Sequence, residues 1–294
     1  MKIGFSFLII ALLSAAAVPV LAQSPPTLRI VTETPGLPSE LFYGNIKVKP
    51  VRLRPGTNQV ITIEDTDFFV QQQYIDFLGR MPDSIGFANW NNTLSNCPNR
   101  GLGEFDNPHC DRVHVSAGFY LSVEFQGRGY FAYRFYDAAL GRRPLYTEFI
   151  PDMQKVGGAQ SPEQEAVSKN QYMNEFVQKP EFKAIYDGLS NQGYVDKLEQ
   201  TAGVTLSNKA DLVNALNAGT QTRAQVLRTF VESKPVFDKF FNRGFVTMQY
   251  FGYLRRNPDP IGFTNWVNTL DADPSNFRHM IFGFIYSTEY LNRF

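Results

Sequence analysis

The chain has 294 residues, 43% of them hydrophobic, enough to bury one large core or two ordinary ones. Its 28 basic and 28 acidic residues balance. There is thus no electrostatic footprint for nucleic acid or an anionic membrane surface, and the basic pairs Arg142-Arg143 and Arg255-Arg256 do not change that. Aromatics are plentiful, with 26 Phe and 14 Tyr. Most belong to a core, although Tyr also serves wet contact surfaces.

Residues 1–22 read as a signal peptide: Lys2, an apolar run from Ile3 to Leu13, then the small-residue cleavage site Val20-Leu21-Ala22. The expectation is an exported protein, secreted or held at the cell surface, whose mature chain starts at Gln23. The run is too short to span a bilayer and no later stretch is apolar enough, so no transmembrane segment is expected after cleavage. Residues 23–64 read as a linker rich in Pro, Ser and Thr followed by a short β segment. "IKVKPVRLR" and "NQVITIED" alternate apolar and polar around the turn signal Pro55-Gly56, and Pro50 confines the first run to an edge.

After Asp65 the period becomes helical. Val70, Tyr74, Phe77 and Leu78 share one face, Asp65 or Asp67 can cap the start, and Gly79 supplies a stop. Asp83 then stands where it can cap a second helix with Phe87, Trp90 and Leu94 inward. Cys97 and Cys110, the only two cysteines, flank a polar loop, and an oxidising compartment favours their disulfide, worth about 3 kcal/mol by loop closure. A zinc site would need better-spaced ligands than these and the nearby His109 and His114, so no metal is expected. Near the end, Phe277, Met280, Ile281, Phe284 and Ile285 make a strict helical stripe, with Asp273 and Ser275 available to cap it.

Internal repetition is the strongest signal. Val70–Leu94 and Val246–Leu270 align without a gap and share 15 of 25 residues. The tails "LSVEFQGRGY" and "YSTEYLNRF" extend the likeness. Two weaker copies lie between. Phe135–Val156 keeps Tyr136, Leu140, Gly141, Arg142 and Pro144 but lacks the Asp, the Gly and the Trp. Gly193–Phe237 keeps the helical rhythm, with Thr222 and Gln225 as a capping box. The expected fold is mainly α: about four tandem helical units, two of them well kept, paired as residues 65–187 and 188–294.

"YIDFLGRMPDSIGFANW" and "YFGYLRRNPDPIGFTNW" resemble the Tyr-x-x-x-Leu-Gly-Arg-x-Pro-Asp-x-x-Gly-x-x-x-Trp pattern of the domain-of-unknown-function family numbered 4214. That resemblance implies a tandem helical module of bacterial secreted and cell-surface proteins, binding glycan or another envelope component, with no established activity. It covers most of residues 66–294. The chain departs from the pattern at Arg255, where the family usually has Gly. A more distant likeness of Leu-Gly-Arg-x-Pro to phycobilisome linker domains implies assembly instead.

Each motif residue also has a structural reading. Arg80 and Asp83, like Arg256 and Asp259, are three apart across a proline, so the Arg can pair with the Asp and lie over the indole of Trp90 or Trp266. Gly86 and Gly262 remove a Cβ where the loop approaches closely. The candidate binding residues are accordingly Arg80, Asp83, Asn89, Trp90, Arg256, Asp259, Asn265 and Trp266, the Asn-Trp pairs and the aromatic run Tyr130–Tyr136 being suited to sugars. Glu124 and Glu289 read as first-turn residues of short helices. No catalytic elbow, phosphate loop or metal spacing is present, so the expectation is a non-enzymatic module without cofactor, its partner an extracellular polysaccharide or surface protein. A structural assembly protein is the alternative, with a hydrolase well behind.

Overall fold

The computed structural model describes residues 28–31, 40–47, 52–54, 57, 59–98, 109–157 and 161–294. The expected leader, residues 1–22, lies outside the described residues, as do Pro50, the Pro55-Gly56 turn and residues 99–108 of the loop between the cysteines. The chain divides into two compact units, Met1–Val60 and Ile61–Phe294.

In the first unit, β1 (Leu28–Val31), β2 (Glu40–Tyr43) and β3 (Ile46–Lys47) form an antiparallel sheet in that order. Leu28 stands opposite Tyr43, and Tyr43 opposite Ile46. Gly44, at φ 60°, supplies the left-handed turn between β2 and β3. Strand β1 falls in the stretch read above as linker. Leu-Arg-Ile-Val is a short β-prone run, and the edge of β2 completes its hydrogen bonds. A hairpin follows, in which the Arg54 N–H donates to Gln59 O at 2.9 Å and the Thr57 N–H to Arg54 O at 3.0 Å.

The second unit is mainly helical and repeats one plan four times. The first repeat contains α1 (Thr66–Gln73), α2 (Ser84–Ser95), α3 (Arg112–Leu121) and the short tail helix α4 (Val123–Gly127). The second contains α5 (Gly129–Phe135), α6 (Tyr146–Val156), α7 (Pro162–Phe176) and the tail α8 (Pro180–Tyr186). The third contains α9 (Asn191–Ala202), α10 (Lys209–Asn217) and α11 (Arg223–Glu232), and its tail merges into α12 (Lys234–Gln249). The fourth runs from α12 through α13 (Pro260–Ala272) and α14 (Phe277–Ile285) to the tail α15 (Thr288–Leu291).

Each opening helix ends on a residue in the left-handed conformation: Gly79 at φ 63°, Gly141 at 66°, Gly203 at 61° and Arg255 at 51°. In the first, second and fourth repeats the helix also widens into a π turn before that stop, over Tyr74–Leu78, Tyr136–Leu140 and Tyr250–Leu254. Each π turn starts at the motif tyrosine. The third repeat has Leu198 in the tyrosine's place, and α9 stays a regular α-helix to its end.

The core is built from rings. Tyr120 stacks on Phe245 with centroids 4.2 Å apart, and Phe182 on Tyr186 at 4.4 Å. Two buried tyrosine hydroxyls close on backbone carbonyls: Tyr186 donates to Ala139 O and Tyr194 to Arg223 O, each at 2.8 Å. The run Tyr130–Tyr136, one of the aromatic stretches suited to sugars, is wholly buried here and offers no ring to a ligand. Cys97 and Cys110 are joined, Cα atoms 5.3 Å apart, tying the end of α2 to the start of α3.

The caps are partly as expected. Thr222 and Gln225 form their reciprocal box, and Asp83 caps α2. Asp65, however, accepts from the Thr62 N–H at 2.8 Å and makes no side-chain cap to α1. Asp273 caps the 3₁₀ turn Pro274–Asn276 that precedes α14, not α14 itself.

The left-handed stops permit a clean test. A Cβ at Gly141 would stand 3.4 Å from Thr201 Cγ2, ordinary contact, so Gly141→Ala isolates the backbone penalty. That penalty is about 1–2 kcal/mol, equivalent to a fall of roughly 2–6 °C in melting temperature for a unit of this size. Thermal unfolding by circular dichroism measures it, and an unchanged melting temperature would refute the strain argument.

Candidate functional site in the repeat loops

The motif loop is organised by its arginine. Arg80 turns back over the Tyr74 ring, its guanidinium carbon 5.0 Å from the centroid. Nε and Nη2 then grip the two carboxylate oxygens of Glu124 at 2.8 and 2.7 Å, and Nη1 donates to Met81 O at 3.0 Å. Asp83 is a looser partner at 3.4 Å. Its main task is the helix cap, with Oδ1 accepting from the Gly86 N–H at 2.8 Å.

The fourth repeat reproduces this. Arg256 lies over Tyr250 at 5.2 Å, grips Glu289 at 2.6 and 3.0 Å and donates to Asn257 O at 3.2 Å. Asp259 accepts from the Gly262 N–H at 2.7 Å and from the Tyr250 hydroxyl at 3.2 Å. Burial, then the neighbouring Asp259, pushes that hydroxyl up to about 12.

Two sequence readings are corrected here. The ring beneath each arginine is the tyrosine six residues before it, not the tryptophan ten residues after it. The strong carboxylate partner is the tail glutamate, not the motif aspartate. Glu124 and Glu289 do sit in the first turns of short helices, capped by Ser122 and Ser287. Their pairing with distant arginines was missed. The repeated Ser-x-Glu-aromatic tail carried the signal, because a charged residue kept in register with the motif in both copies needs a partner of opposite charge.

Gly86 and Gly262 serve the close approach of the tyrosine. A Cβ there would stand 2.2 Å from the Tyr74 hydroxyl and 2.3 Å from that of Tyr250. Trp90 is half-buried, leaning on Phe119 with centroids 5.6 Å apart and over the bare face of Gly118. Trp266 is half-buried as well, while Asn89 and Asn265 face outward. Arg80, Asp83, Arg256 and Asp259 are thus occupied by the loop itself, and the Asn-Trp pairs retain a solvent-facing edge.

The second repeat replaces its missing residues in kind. Leu145 stands where the aspartate would be, and Glu148 stands where the glycine would be. Glu148 accepts from the Leu145 N–H at 2.8 Å and pairs with Arg142 at 2.8 Å, while the tail residue Glu181 takes the other side of Arg142 at 2.6 Å. Where the tryptophan would be, buried Asp152 accepts from the Tyr136 hydroxyl at 2.7 Å. The third repeat has Val204 for the arginine and Pro235 for the tail glutamate, so both partners are lost together.

Among the described residues no group of three or more His, Cys, Asp or Glu could hold a metal ion, and no helix is long and apolar enough to cross a membrane. The folded unit is therefore defined as a tandem helical array whose loops are closed by arginine–glutamate clasps. Residues 237–294 match the family described as Domain of unknown function (DUF4214), in agreement with the motif resemblance. No curated protein and no solved structure matches the chain.

The clasps set a pH dependence. Hydrogen bonds from Arg256 and Arg142 hold Glu289 and Glu148 below the usual carboxylate range, and the Gly86 and Gly262 N–H groups do the same for Asp83 and Asp259. A depressed folded-state value gives stability that is present above the unfolded value and lost as pH falls through the folded one. Melting temperature should hold near neutrality and fall from about pH 5 downward. Glu124→Gln, at the more buried clasp, should cost about 1–2 kcal/mol. Glu289→Gln, at a half-exposed clasp, should cost less than about 1 kcal/mol. Melting curves of the two variants across pH check the order, and equal losses would contradict it.

Proposed function

We propose that the protein is an exported, non-enzymatic module that binds glycan or another envelope component through the outward faces of α2 and α13. The leading segment of the sequence supports export. The loop carboxylates support the non-enzymatic reading, because each already accepts from a helix-cap N–H or an arginine.

The observation that carries the binding reading is the match between the two outward faces. Ile85 and Ile261 occupy the same motif position and are 73% and 75% exposed. Asn89 with Asn92, and Asn265 with Asn268, continue each face in the open. These residues are the same in both copies, although neighbours have diverged, Ser84 against Pro260 and Ala88 against Thr264. The clasp does not require them. An amide beside a part-exposed indole is the combination that sugar hydroxyls and sugar C–H faces use.

A second reading, assembly with a protein or a second copy of the chain, is favoured by the paired exposed isoleucines, since large apolar side chains at matched exposed sites suit a protein contact. The two are separated by one set of measurements on the mature chain. The binding reading expects retention on immobilised envelope polysaccharide that Asn89→Ala with Asn265→Ala abolishes. Alanine in an exposed helix interior should leave melting unchanged or slightly raised. Concentration-dependent association lost in Ile85→Ser with Ile261→Ser, without polysaccharide retention, would establish assembly instead.

A further inference from the structure

The loops of the second and fourth repeats enclose a cleft of about 420 Å³. Three arginines line it and no carboxylate does. Arg142 is neutralised by Glu148 and Glu181, and Arg243 by Asp137 at 2.9 Å. Arg143 is different. Among the described residues it has no ion-pair partner, and its Nη1 is buried without a hydrogen bond. Its guanidinium carbon sits 3.6 Å from the Phe263 ring centroid, and Arg243 approaches the same ring at 5.3 Å. Burial, reinforced by repulsion from Arg243, pulls the Arg143 pKa below its usual value. A cation held in this way, facing a cleft, lacks one negative charge.

We propose that this cleft binds the carboxylate of an acidic saccharide. A guanidinium lying over a phenyl ring presents a planar fork that matches a carboxylate in two parallel hydrogen bonds. One carboxylate also balances the single unmatched charge. The remaining wall suits a sugar ring. Asn257 accepts from the Tyr146 N–H through Oδ1, which leaves its amide hydrogens for a hydroxyl. Thr264 donates to Pro260 O and keeps lone pairs to accept one. Pro144, Pro258 and Leu145 supply apolar surface for C–H faces. The proposal uses neither Asn89 nor Asn265, although Thr264 lies on α13 beside the face proposed above.

Calorimetric titration of the full mature chain with oligogalacturonate, a neutral galactose oligomer and inorganic phosphate tests it. The acidic oligomer alone should bind, more weakly as salt is raised. Arg143→Met should lower that affinity roughly tenfold to a hundredfold. It should also leave the melting temperature unchanged or higher, because it removes a partly buried charge that has no partner. Arg143→Lys, which keeps the charge but not the fork, should fall between. Asn89→Ala with Asn265→Ala should leave this binding intact, so that failure of the helix faces and failure of the cleft are told apart. Equal binding of phosphate or of the neutral oligomer would overturn the proposal. So would no binding at all, full binding by Arg143→Met, or an Arg143→Met chain that melts several degrees lower.

Discussion

A guanidinium offers five N–H donors in one plane and a face that rests on aromatic rings, and this folded unit is organised around satisfying that group in three repeats out of four. The tyrosine lies beneath, the tail glutamate takes Nε and Nη2, and the carbonyl of the next residue takes Nη1. The tail lies 44 residues from the arginine in the first repeat and 33 in the fourth. The clasp therefore fixes where a repeat ends as well as how its loop turns. The π turn belongs to the same constraint. It begins at the tyrosine in each of the three repeats that have a clasp, and it is absent from the repeat that has none.

Seen this way, the weakened repeats obey the same electrostatics as the well-kept ones. The second repeat loses its aspartate and gains Glu148 three residues later, so a carboxylate still reaches the Leu145 N–H and the arginine. Its tyrosine gives up the aspartate beside the cap and finds buried Asp152, at the motif position that tryptophan holds elsewhere. The third repeat drops arginine and glutamate together. Dropping one alone would leave a partly buried charge without its partner, which costs more than losing both. Arg255 follows similar logic. Its left-handed backbone costs about 1 kcal/mol relative to glycine, but the side chain reaches buried Asp76 at 3.1 Å, beside Arg293.

The helical class, the two well-kept motif copies and the cap at Asp83 were legible in the sequence, because they depend on period and on neighbours a few residues apart. The disulfide was legible for the same reason, being one pair in a short loop. Distant partners were not. Nothing near Arg80 points to Glu124, and the nearer Asp83 and Trp90 are plausible partners until the chain is folded. Burial of Tyr130–Tyr136 was also hidden, since an aromatic run suits a core and a sugar platform equally and only the packing of α5 against its neighbours decides. Strand β1 was missed because its partner's edge, not its own four residues, makes it a strand.

The clasp also determines which positions are left to vary. Between the arginine and the proline of each loop stands one residue whose carbonyl is bound by the arginine and whose side chain takes no part in the clasp. It is Met81 in the first repeat, Arg143 in the second and Asn257 in the fourth. Its backbone is held by a charge-assisted hydrogen bond, so its side chain is aimed reproducibly whatever its chemistry. Two such positions, from repeats distant in sequence, line the same cleft. A tandem array can thus retain one rigid loop and change what that loop presents, repeat by repeat. The residues with freedom to carry specificity are then those that an alignment of the motif marks only as x.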